Sequence, residues 1–236
     1  MKQENEQPMK PQQFAEYRLL TSILNNTYPP ESKLPNERVL AEQIGVTRPT
    51  LRETLQRLSR EKWLNIQHGK QTVVNDYWNE GGLGMLATMA KYAEFLPSDF
   101  ISNLLDFRIH LLPPCAAASV RNAPERFLDH LEKTDQLGDD AEAFTIFDWE
   151  LQILMVKYSK NLIYPLILND FSEIYRKLGT LYFRLSKARK SSGQYYAFLK
   201  EDIENNGEKT EQIVRNVMRE SLQIWQSMGS IKEEKK

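Results

Sequence analysis

The sequence predicts a mainly α-helical protein in two parts, a helical front closed by a small β-hairpin and an all-helical rear. Three observations predict it. Apolar residues recur at intervals of three and four along most of the chain, the period of a helix with one buried face. Two short β-like runs, 63–67 and 71–75, flank His68-Gly69-Lys70, the pattern of a hairpin around a glycine turn. Beyond Tyr77-Trp78 strand signals stop and Gly81, Gly82 and Gly84 punctuate the chain, which places a domain boundary there. The expected layout is a disordered polar tail over 1–10, a front domain over 11–76, a linker over 77–84 and a helical domain over 85–230.

The elements follow in order. Phe14, Tyr17, Leu20 and Leu24, with Ile23 alongside, predict a helix from Pro11 that Asn25-Asn26 and Pro29-Pro30 stop. Residues 27–35 form a loop. Asn36 is a good N-cap for a short helix that Gly45 breaks, and Thr47 caps the next, which runs to about Lys62. In the rear, three faces stand out. One runs from Phe100 through Leu104, Leu105 and Arg108 to Leu112, one from Ile163 to Tyr182, and one from Val214 to Met228. Breaks are expected at Pro97, Pro113-Pro114, Pro124, Gly138, Asn161, Gly193 and Gly207, giving about six or seven helices packed as an antiparallel bundle.

Charge separates the two parts. Up to Asn75 there are 11 Lys/Arg against 8 Asp/Glu, and from Asp76 onward 20 against 24, so a basic front precedes an acidic rear. The single cysteine, Cys115, excludes an intrachain disulfide and fits a reducing compartment. The first residues, MKQENEQPMKPQQ, carry no apolar stretch of a signal peptide, and no apolar run approaches the ~18–20 residues a membrane helix needs. A cytoplasmic protein with no membrane partner is expected.

The stretch NERVLAEQIGVTRPTLRETLQRLSREK, residues 36–62, carries the functional argument. Two short helices around Ile44-Gly45-Val46 match a helix-turn-helix, locked by Leu40, Ile44, Val46, Leu51, Leu55 and Leu58. Arg48 and Arg52 fall one turn apart on a neighbouring face of the second helix, with Thr47 and Thr50 at its amino-terminal end. That end of a recognition helix meets base edges, and a guanidinium there can donate two bonds to one guanine. Pro49 sits in the first turn, where its missing N–H costs little. Arg38 can reach the adjacent backbone, and the tip His68, Gly69, Lys70 makes a positively chargeable wing suited to a narrow minor groove. The fold class is therefore an N-terminal winged helix-turn-helix followed by an all-α helical bundle, and the expected partner is double-stranded DNA.

The segment LPNERVLAEQIGVTRPTLRETLQRLSREKWLNIQHGKQTVVN resembles the amino-terminal domain of GntR-family bacterial regulators, and within them the fatty-acid-responsive branch. The likeness continues at NLLDFRIH, at NLIYPLILNDFSEIYRKLGTLYF and more loosely at RESLQIW, from Phe14 to about Trp225. The resemblance implies that Arg38, Thr47, Arg48, Thr50, Arg52, His68, Gly69 and Lys70 contact a palindromic operator as parts of a homodimer. Pro49 departs from it, since threonine is common there. The resemblance also implies a rear domain that binds long-chain fatty acyl-CoA as effector, with Glu220, Ser221 and Trp225 at the site, Arg215 a partner for CoA phosphates, and Tyr175 and Tyr182 further candidates. Read from the residues alone, Ser221 is either core filler or cavity lining, and aromatics at helical spacing such as Tyr175 and Tyr182 equally suit a core. Met218 and Leu222 stand where the family commonly has glycine, which predicts a narrower site.

No glycine-rich phosphate loop and no nucleophile elbow is present, and outside the wing His110 and His130 are the only histidines, too few for the metal site of many relatives. The chain is expected to be no enzyme and to hold no metal or cofactor. The resemblance implies a transcription factor that represses fatty-acid degradation genes, activates unsaturated fatty-acid synthesis genes and leaves DNA when acyl-CoA binds. Two other readings stay open: a regulator of the same family answering a different small molecule, and an acyl-CoA carrier or enzyme with a vestigial DNA head.

Overall fold

The computed structural model describes residues 9–92, 95–97 and 99–233, without the side chains of Ala90 and of residues 229–233. Most of the tail expected over 1–10 lies outside the described residues. The chain forms two compact units that part between Leu96 and Pro97.

The front unit opens with α1 (Pro11–Leu24), whose first-turn proline forfeits only an N–H that a helix start leaves unpaired. Its buried face is Ala15, Leu19, Leu20, Ile23 and Leu24; Phe14 and Tyr17, expected on that face, are more than a third exposed at its rim. Then come α2 (Glu37–Ile44) and α3 (Arg48–Arg60). Asn36 caps α2 through a bond from the Val39 amide at 3.1 Å. Gly45 follows with φ 85°, a left-handed conformation that a Cβ would strain, and this reverses the chain between the two helices. On α3, Leu51, Thr54, Leu55 and Leu58 face inward, and α1 packs against that helix. The hairpin is β1 (Leu64–Asn65) paired antiparallel with β2 (Val73–Val74), Leu64 opposite Val74, with Lys33 bridging to Val73 on the other side.

The compact front unit runs on past the expected linker at 77–84, as far as Leu96. Residues 77–80 form α4 (Tyr77–Glu80), capped by Asp76, and Gly84–Lys91 forms α5. Tyr77 is buried with its ring 5.1 Å from that of Trp63, itself fully buried, so apolar burial carries the front unit past the glycines.

The rear unit contains α6 (Phe100–Asn122), α7 (Pro124–Leu131), a 3₁₀ turn over Glu132–Gln136, α8 (Ala141–Lys157), α9 (Ile163–Asn169), α10 (Ser172–Phe183), α11 (Ser186–Glu204) and α12 (Thr210–Glu233). Helix α6 packs against α8 and α12, α8 against α10, and α11 against α12, around Leu112, Phe127, Leu151, Phe183, Tyr196 and Val214. Two expected breaks are absent. Gly193 lies within α11, and Pro113-Pro114 lie within α6. Proline at 113 removes the amide that would bond the Ile109 carbonyl four residues back. Arg215 on α12 supplies the missing donor, its Nη1 lying 3.1 Å from that oxygen. Among the described residues no helix is long and apolar enough to cross a membrane.

Candidate functional site

In the front unit the sequence-predicted residues sit on the exposed edges of α2, α3 and the hairpin. Thr47 ends the turn as the N-cap of α3: its Oγ1 accepts from the Thr50 amide at 3.4 Å and lies 2.9 Å from the Thr50 hydroxyl. Arg38, Arg48 and Arg52 are exposed, as are His68, Gly69 and Lys70 at the hairpin tip. The tip turns through Gly69 at φ 72°, and the Lys70 ammonium donates to the Gln67 amide oxygen at 2.9 Å.

Arg52 is oriented. Its Nε and Nη2 donate to one carboxylate oxygen of Glu37, the first residue of α2, at 3.1 and 2.7 Å. That bond, then the carboxylate's charge, pushes the arginine pKa above its usual value. A guanidinium has five N–H donors. Two go to Glu37 and three stay available, so α2 aims the α3 arginine without consuming it. Glu37 is a positioning residue that sequence reasoning missed, and its signal was an acid in the first turn of the preceding helix.

In the rear unit, α6, α8, α10, α11 and α12 enclose an apolar cavity of about 80 Å³. Leu104, Leu105, Ile174 and Leu178 give it aliphatic walls, and Tyr175, Tyr182, Ser221 and Trp225 line it as the sequence suggested. Gly179 lets α10 approach α8 closely, since a Cβ there would come within 2.8 Å of Thr145 Cγ2. Ser221 donates to the Met218 carbonyl at 2.7 Å, satisfied within its own helix. Met218 lines the cavity; Leu222 instead packs against the core.

Two proposed members lie elsewhere. Arg215 does not line the cavity; besides the Ile109 carbonyl it pairs with Glu211 at 2.6 Å. Glu220 is exposed beside α11 and α12.

The cavity's polar features come largely from residues that sequence reasoning passed over. Arg108 enters from α6, its guanidinium 5.6 Å from the Tyr175 ring centre and its Nη2 3.1 Å from Met218 Sδ, while its Nε is buried with no partner. An arginine interrupting the apolar face Leu104–Leu105–Leu112 was the available signal. Asp148 on α8 accepts from the Tyr175 hydroxyl, from the Tyr196 hydroxyl at 2.9 Å and from Gln152 at 2.7 Å. Burial, and then the Asp148 charge, pushes the Tyr175 and Tyr182 phenols well up, so both remain neutral donors. Among the described residues no group of three or more His, Cys, Asp and Glu could hold a metal.

A helix-turn-helix with a hairpin wing and exposed arginines, followed by a helical unit with an internal cavity, defines a bacterial regulator of transcription. Residues 11–74 match the family model for bacterial regulatory proteins of the gntR family, and residues 75–234 match the FadR C-terminal domain. The chain is 42% identical over 219 residues, 92% of each chain, to the fatty acid metabolism regulator protein of Serratia proteamaculans. It is 38% identical over 229 residues, 95% of each, to that of Pasteurella multocida. A solved structure described as Lar, which controls the expression of the Listeria monocytogenes agr system, is similar with a TM-score of 0.58 at 13% identity, covering 94% of this chain and 99% of that one. The chain belongs to the gntR family, in its branch of fatty acid metabolism regulators. Proteins of this family are DNA-binding regulators and not enzymes, and so is this one.

Proposed function

We propose that this protein is a cytoplasmic homodimeric transcription factor that represses fatty-acid degradation genes, activates unsaturated fatty-acid synthesis genes, and leaves its palindromic operator when long-chain acyl-CoA binds the rear unit. Two copies present their α3 helices to successive major-groove faces. Arg48 and Arg52 read bases, while Arg38, Thr47, Thr50 and the His68-Gly69-Lys70 wing hold backbone and minor groove.

The observation that carries the effector reading is a cavity walled by aliphatic and aromatic side chains with one guanidinium, that of Arg108, inside it. An acyl chain suits the walls, and the thioester oxygen suits Arg108 together with Tyr175, Tyr182, Ser221 and Trp225. At about 80 Å³ the cavity is well below the roughly 300–1,000 Å³ of ligand pockets, so a long chain must part the helices around it. That requirement supplies the switch: a ligand favouring a wider rear unit shifts the protein away from the form that holds operator. Fluorescence anisotropy on a fatty-acid gene promoter, with and without oleoyl-CoA, tests this. Operator affinity is expected to fall with ligand; affinity unchanged at saturation removes the switch.

The small volume of the cavity, with the Met218 side chain in its wall, favours one other reading, a smaller effector in the same cavity. Native mass spectrometry of protein taken from its source distinguishes the two by the mass of what is bound.

A further inference from the structure

On the rear unit, α7, α8 and α10 frame a groove of about 570 Å³ that the account above leaves unused. Four cations line it: Arg126, Lys133, Lys157 and Arg176. Among the described residues none of the four has a carboxylate within ion-pair distance. The groove holds two carboxylates, Asp129 and Glu150, and Glu150 leans toward His130 at 3.9 Å. A net excess of two positive charges thus collects on one face of a unit that is acidic as a whole. Two aromatic rings complete the walls. Lys157 lies 5.6 Å from the centre of the Tyr158 ring, and the Trp149 indole faces the groove from one side.

Guanidinium and ammonium groups together match phosphate, and an indole offers a face on which a base can stack. The volume falls within the usual range for a small-molecule site. We infer that this groove binds the phosphates and base of a nucleotide. The groove also touches the cavity's frame. Consecutive residues serve the two places: on α8 Asp148 lines the cavity and Trp149 the groove, and on α10 Tyr175 lines the cavity and Arg176 the groove. The Trp149 and Tyr175 rings lie 5.0 Å apart, so one aromatic pair separates the two sites. A ligand that shifts Trp149 therefore presses on the cavity wall.

The chemistry has two sources, a free nucleotide or the nucleotide end of an effector whose chain lies in the cavity. Only the second rests on the acyl-CoA reading. Isothermal titration calorimetry on the full-length protein with ATP, and separately with coenzyme A lacking an acyl chain, tests the site. Both are expected to bind, more weakly as salt rises. Charge reversal at two exposed positions, Lys133→Glu with Arg176→Glu, is expected to weaken both by at least about tenfold, and Trp149→Leu to weaken them with the surface charge intact. A circular-dichroism melt checks that each variant folds.

A second arm identifies the source. If oleoyl-CoA blocks ATP and the charge reversal weakens oleoyl-CoA, the groove holds the effector's end; if ATP binds the loaded protein, the ligand is a free nucleotide. Either result supports the site. Absence of nucleotide binding, or equal binding by the charge-reversed variant, overturns it. Nucleotide bound in the groove while oleoyl-CoA fails to release operator would remove the acyl-CoA reading and leave the groove standing.

Discussion

Single side chains in this protein are held by partners their own stretch of sequence does not show. Arg52 is aimed by Glu37, so Arg52→Ala is expected to lose about 1–3 kcal/mol of discrimination at one base pair, read as relaxed preference in binding selection. Glu37→Gln is expected to keep most affinity and blur that same preference, because the guanidinium then swings free. Arg215 donates to one of the two carbonyls that the prolines inside α6 leave without a helical donor. Arg215→Met is expected to cost about 1–3 kcal/mol in urea unfolding, for the Ile109 carbonyl then lacks its donor, with acyl-CoA affinity nearly unchanged. His130 is buried with its ring 4.1 Å from Phe147 and its Nε2 donating to the Phe147 carbonyl. Burial lowers its pKa below the ordinary 6.5, with that bond opposing in part. The unfolded chain then takes up the proton first, so stability is unaffected above pH 6.5 and declines as pH falls below it. His130→Gln is expected to flatten this decline in unfolding measured across the acid range.

At the scale of elements, the sequence revealed most where local chemistry decides. Asn36, Gly45 and Thr47 each act on the backbone beside them, and the helix-turn-helix they predict is the one observed. Cavity lining by Tyr175, Tyr182, Ser221 and Trp225 was not legible in that way: the helix faces left core filling equally open, and only the family resemblance placed them at a site. What escaped depends on distant partners. Helix α6 passes through two prolines with a donor from a neighbouring helix at the carbonyl that the first leaves unpaired, and Tyr77 joins the front unit because Trp63 covers it. Arg108 and Asp148 line the cavity from helices far apart in sequence, so neither announced itself as part of it. Helix α12 presents Met218 to that cavity, and this predicts a trade-off. Met218→Ala is expected to lower stability by roughly 2–5 kcal/mol while tightening binding of long-chain acyl-CoA, checked by denaturation and calorimetry on one preparation.

For the whole molecule, the account joins a DNA-reading front to a ligand-holding rear by thermodynamic linkage alone, without requiring any particular path between them. Under the proposed function, phosphate contacts from the front unit are expected to make operator binding salt-dependent, and ligand in the rear to lower it at any fixed salt. Linkage also demands symmetry: whatever factor acyl-CoA takes from operator affinity, operator must take from acyl-CoA affinity. The most direct measurement is therefore calorimetric titration of the protein with oleoyl-CoA, free and then saturated with operator DNA. The account predicts weaker oleoyl-CoA binding to the DNA-bound protein, by the same factor found when operator is titrated with and without the ligand. Equal oleoyl-CoA affinity for the free and the DNA-bound protein would contradict it.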